Sequence, residues 1–89
     1  MKYTFICDWT DKSISLYDTR FVVVAEAETE KGAAENAARA ALAHYTEVAE
    51  YESHRTFWNG EFGAIRIAEF QGDITGSLID RTTYDIIHA

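Results

Sequence analysis

The stretch Thr29 to Tyr45, TEKGAAENAARAALAHY, decides how the rest of the chain must be arranged. Thr29 is placed to cap a helix, because its hydroxyl can accept a hydrogen bond from a free amide of the first turn. Glu28 and Glu30 put negative charge where the helix dipole favours it. The run is rich in alanine, the strongest helix former. On a helical wheel Ala34, Ala37, Ala38, Ala41, Leu42 and Tyr45 share one side. Glu35, Asn36 and Arg39 lie opposite, with Glu35 and Arg39 spaced for an i, i+4 ion pair. A face of methyl groups buries little area, so the helix needs a sheet that approaches closely and supplies the bulk. Tyr3, Phe5, Trp9, Phe21, Phe57, Phe62 and Phe70 are the large side chains available for that role.

Working outward, residues 2–9 (KYTFICDW) alternate, with Tyr3, Phe5, Cys7 and Trp9 on one side, and read as a half-buried strand. Residues 10–18 are turn-rich, with Ile14, Leu16 and Tyr17 among them. Residues 19–27 form a second strand. Its consecutive Phe21, Val22, Val23 and Val24 imply burial on both faces and a central place in the sheet. Beyond the helix, residues 47–58 are expected as a third strand, with the helix able to extend into its start, Asn59-Gly60 as a type I′ turn, and residues 61–70 as the fourth strand. That register sets Trp58 opposite Glu61, Phe57 opposite Phe62, Arg55 opposite Ala64, Tyr51 opposite Ala68 and Glu50 opposite Glu69. Residues 71–77 are a loop, and the tail LIDRTTYDIIH reads as a last strand or a short helix, with the extended form favoured. The expected architecture is α+β: one domain over residues 1–89, an antiparallel sheet of four or more strands with one main helix on one face. Its order is β-β-α-β-β plus a C-terminal segment.

The 89 residues are 47% hydrophobic and 13% aromatic, which suits a single small folded domain. The formal net charge is −7. That argues against a conventional nucleic-acid binder, which needs a basic face, and disfavours anionic membranes. Cys7 is the only cysteine, so no intrachain disulfide forms, and its place among alternating core residues makes it a small core side chain. With no signal-like or long apolar run, the cytoplasm is the expected compartment. His44, His54 and His88 lack metal-ligand spacing, and neither a phosphate loop nor a nucleophile elbow is present. No catalytic residue, metal or cofactor is expected. Asp8 and Asp11 flank Trp9 as a candidate carboxylate pair, but carboxylates at turns more commonly serve the turn.

The passage AEAETEKGAAENAARAAL resembles the helix entry of HicB-like antitoxin domains, although the glycine-rich, proline-containing strand pair before that helix is missing. The whole-chain layout of a short acidic β-β-α-β-β domain resembles small phage-encoded anti-CRISPR proteins. That resemblance implies a non-enzymatic inhibitor that binds and blocks a CRISPR effector. Neither resemblance carries functional residues onto this chain. The residues themselves suggest an acidic contact surface for a protein with a basic face, built from Glu47, Glu50, Glu52 and Glu69 with Trp58 and Ile65 as apolar anchors. The other expectation is a structural or regulatory homodimer that buries Trp58, Ile65 and Ile67.

Overall fold

The computed structural model describes residues 1–78 and 84–89. Its elements in chain order are β1 (Lys2–Trp9), β2 (Phe21–Glu26), α1 (Glu30–His44), β3 (Ala64–Gln71) and β4 (Asp85–His88), with 3-10 turns at Val48–Glu50 and Thr75–Ser77. The four strands form one sheet in the order β3-β1-β2-β4. β1 is antiparallel to both β2 and β3, whereas β4 runs parallel to β2.

The helix forms where its cap and alanines place it. Thr29 is extended at φ −126°, ψ 157°, and its hydroxyl accepts the Gly32 amide at 3.1 Å. Ala33, Ala34, Ala37, Ala38 and Ala41 are buried against the sheet, mainly over β2. The expected Glu35–Arg39 pair is present on the outer face at 3.3 Å. Tyr45 ends the helix, and its hydroxyl donates to the Asp85 carboxylate at 2.8 Å, tying the helix terminus to β4. Because methyl groups line the contact, enlarging one leaves no room. Ala38→Leu, at a site with no exposure, should cost roughly 1–3 kcal/mol. Urea denaturation measures this, and an unchanged midpoint would mean that this helix face is not in the core.

The sheet supplies the bulk. Trp9 sits at the centre of an aromatic cluster, with ring centroids 5.0 Å from Phe21, 5.1 Å from Tyr45, 5.5 Å from Tyr17 and 6.5 Å from Phe57. Its indole N–H donates to the Thr19 carbonyl at 2.9 Å, so the buried ring leaves no polar group unpaired. Cys7 is fully buried, and burial pushes its thiol well above the usual range. β2 is buried on both faces from Phe21 to Ala25, as its apolar run implied. On the face away from the helix, Thr4 is fully buried. Its hydroxyl donates to the Gly72 carbonyl at 2.7 Å and accepts the Ile74 amide at 3.1 Å, so the chain leaving β3 folds over that face.

Several expectations are corrected. The sheet is mixed rather than antiparallel, because β4 pairs with the outer edge of β2 in parallel, with Val22 opposite Ile86 and Val23 opposite Ile87. The tail is extended there, as expected; its residues 79–83 lie outside the described residues. Residues 47–58 are not a strand, so the order of strands and helix differs from the one expected. Instead Val48 donates to the Tyr45 carbonyl, and Tyr51 and Glu52 donate back to Val48, which winds the chain into a 3-10 turn anchored by the buried Val48. Ser53 and Thr56 then use their hydroxyls on nearby amides, an alternative to ladder pairing.

The turn at Asn59-Gly60 is also not type I′, because Asn59 has φ +67° and Gly60 has no positive φ. Residues 57–64 close instead through Asn59 N–H to the Ala64 carbonyl at 2.8 Å and Ala64 N–H to the Phe57 carbonyl at 3.0 Å. β3 therefore pairs with β1, and Glu69 faces Phe5, not Glu50. Phe62 is half-buried and Phe70 is 43% exposed, so neither joins the main core.

Candidate functional site

Two neighbouring features follow from this arrangement. The first is a groove of about 530 Å³ between the start of α1, the 52–58 segment and β3. Its wall is Trp58, whose indole N–H donates to the Ala34 carbonyl at 2.9 Å and so joins the segment to the helix. Arg66 reaches the same place because of an irregularity in β3. The β1 register pairs Phe5 with Glu69 and Cys7 with Arg66, leaving Ile67 as an extra residue. This bulge puts Arg66 and Glu69 on the helix side, although an odd spacing of three would otherwise separate them.

The Arg66 guanidinium lies 4.9 Å from the Trp58 ring centroid and 5.9 Å from that of Phe5, and its Nε is 2.7 Å from Glu69 Oε1. A hydrogen bond with Glu30 pushes the Glu69 carboxyl up, and burial adds to this while Arg66 opposes it. Lys31, Glu35, His54 and Arg55 complete the lining. His54 Nε2 is 3.8 Å from Glu35 Oε1, while Lys31 and Arg55 have no ion-pair partner among the described residues.

The second feature is the lobe of residues 47–62. Tyr51 is 55% exposed and stacks on Phe62, with centroids 4.5 Å apart and planes at 26°. Glu47, Glu50 and Glu61 surround this pair in sequence and are exposed. Glu52 turns inward and accepts the Phe62 amide at 2.9 Å. Among the described residues none of these four carboxylates meets a cation. The lobe is held from beneath by Val48 and Phe57, both fully buried.

Of the residues expected to form one partner-binding patch, Glu47, Glu50 and Glu52 are on this lobe, Glu52 as a structural acceptor. Trp58 belongs to the groove wall. Glu69 lies on β3 on the helix side, and its carboxylate neighbour is Glu30 instead of Glu50. Ile65, opposite Asp8, points to the other face of the sheet, away from Trp58. The expected patch is thus divided among four places: the lobe, the groove wall, the helix side of β3 and the far face of the sheet. Sequence reasoning missed Tyr51 as a surface residue because the assumed hairpin turned it inward, and it missed the groove because Lys31, Arg55 and Arg66 come from three separate segments.

Asp8 and Asp11 are both engaged in local structure. Burial pushes the Asp8 carboxyl up, but the Trp9 amide with Lys12 and Arg20 outweighs this and holds it below the usual range. Asp11 is lowered by hydrogen bonds from the Ser13 hydroxyl and amide. Among the described residues no group of three or more His, Cys, Asp or Glu side chains could hold a metal ion, and no helix is long and apolar enough to cross a membrane. Comparison of the chain with family models, curated proteins and solved structures finds no match.

Proposed function

We propose that this chain is a small non-enzymatic binding domain whose 47–62 lobe engages the basic surface of a protein partner. The observation that carries this reading is the exposed Tyr51, stacked on the half-buried Phe62, among carboxylates that no cation of the described chain neutralises. Aromatic side chains supply contact area at low entropic cost, and unneutralised carboxylates steer a cationic surface toward them. A rigid lobe rooted in Val48 and Phe57 loses little freedom on binding. If the partner uses that basic surface for nucleic acid, occupying it inhibits the partner, which is the mode implied by the likeness to anti-CRISPR proteins.

The test is capture of partners from a bacterial lysate on immobilised protein, followed by association kinetics for the captured protein. Glu47→Lys with Glu50→Lys should slow association about tenfold or more at low salt, with the gap closing as salt rises. Tyr51→Ala should leave association nearly unchanged and speed dissociation about thirtyfold, the scale of a binding hot spot. Unaltered kinetics in both variants would remove the lobe as the interface.

A further inference from the structure

β3 is an edge strand. Its inner edge pairs with β1, and among the described residues its outer edge is met only at Ala64, where Trp58 forms an isolated bridge. From Ile65 to Gln71 no described residue pairs with it. Its two faces differ. Arg66 and Glu69 are on the helix side, opposite Cys7 and Phe5. Ile65, Ala68 and Phe70 are on the other side, opposite Asp8, Ile6 and Thr4. Ile67 at the bulge is 44% exposed and Phe70 is 43% exposed. An open edge with exposed apolar side chains is a template for another strand.

We propose that the strand which fills this edge is β3 of a second copy of this chain, antiparallel about a two-fold axis between Ile67 and Ala68. In that register Arg66 faces Glu69 of the second copy, and Glu69 faces its Arg66. Ile65 faces Phe70 of the second copy, and Ile67 faces Ala68. Residues directly opposite in an antiparallel pair must share a face. The bulge satisfies this requirement, since it alone puts Arg66 and Glu69 on the same side. Two four-stranded sheets become one, with both helices on the same side.

The charges fix both partner and register. A strand protected against self-association carries like charges, which repel their own images across a two-fold axis. Here the signs are opposite at positions that the axis exchanges, so the images attract. Registers centred on Arg66 or on Glu69 would each oppose like charges and are disfavoured. The pairing is isologous, so it closes as a dimer and does not extend into a fibre.

The test uses light scattering with sedimentation across a concentration series, with circular dichroism as the check on folding. Wild type should approach twice its 10.1 kDa chain mass. Arg66→Glu and Glu69→Arg should each be monomeric alone, because each opposes like charges. Mixed in equal amounts, the two variants should recover the dimer, since each then carries what the other lacks. The internal Arg66–Glu69 ion pair cannot produce that recovery, because it is broken in both chains. Should either variant fail to fold, hydrogen exchange of the wild type replaces it, and the amides of Ile65–Gln71 should gain protection as concentration rises. Wild type that stays at chain mass throughout, single reversals that remain dimeric, or β3 exchange independent of concentration would each overturn the proposal.

Discussion

Gly63→Ala is expected to destabilise this domain by about 3 kcal/mol or more, the size reserved for substitutions that break a defined structural feature. A methyl group at Gly63 would stand 1.9 Å from the Phe57 carbonyl oxygen, inside any permissible contact. That oxygen is the acceptor that receives the Ala64 amide at 3.0 Å and closes the 57–64 loop. The backbone there cannot give way without losing this bond and the reciprocal one from Asn59 to Ala64. Gly60→Ala should have an effect of the same kind, since its methyl would meet the Thr56 carbonyl oxygen at 2.2 Å. Gly72 supplies the contrast. It has φ +89° with no described residue within 4 Å of an added methyl, so Gly72→Ala should carry only the local backbone penalty of about 1–2 kcal/mol. For a domain of this size each kcal/mol moves the melting temperature by about 4–8 °C. Thermal and urea denaturation of the three variants should therefore rank Gly63 and Gly60 well above Gly72. A ranking with Gly72 as the most sensitive would contradict the close approach of residues 57–64.

Those glycines also explain where sequence reading stopped. Thr29 and the alanine periodicity made the helix legible because capping and side-chain face are local properties. The alternation of residues 2–9 and the apolar run at 21–24 likewise announced two central strands. Asn59-Gly60 looked like a two-residue turn because glycine and positive φ are commonly associated. Only Asn59 takes positive φ, and the glycines serve close approach to carbonyls several residues away. No residue type in 57–64 signals that the backbone folds back onto the Thr56 and Phe57 carbonyls. The partner of β3 is similarly non-local: an eight-residue strand can pair by either edge with any strand of matching pattern, and here β1 takes it. Once that register changed, the imagined Glu50–Glu69 pair dissolved, Ile65 turned to the far face, and Tyr51 emerged on the surface. The acidic character of 47–52 survived because it depends on composition, whereas the patch depended on geometry.

Phe57→Ala is expected to be comparably severe, at about 3–5 kcal/mol. Phe57 is fully buried, and its ring lies 6.5 Å from Trp9, 6.4 Å from Phe21 and 4.9 Å from Trp58 by centroid. Removing it opens a cavity where the aromatic cluster of the sheet meets the root of the 47–62 lobe. The alanines of the helix cannot expand to fill that space. Phe57→Leu keeps most of the volume and should cost much less, about 1.5 kcal/mol or below if the neighbours repack. The substitution also separates two roles of one residue. The carbonyl of Phe57 closes the loop against Gly63, and its ring anchors the lobe to the core. Because ring and carbonyl belong to the same short segment, Gly63→Ala and Phe57→Ala should not add: the double variant should lose less than the sum of the two. Denaturant curves on the two single variants and the double variant measure this coupling. Full additivity would mean that the loop closure and the core anchor are independent. The lobe would then remain ordered without its aromatic root, and its presentation of Tyr51 would have to come from the 3-10 turn at Val48 alone.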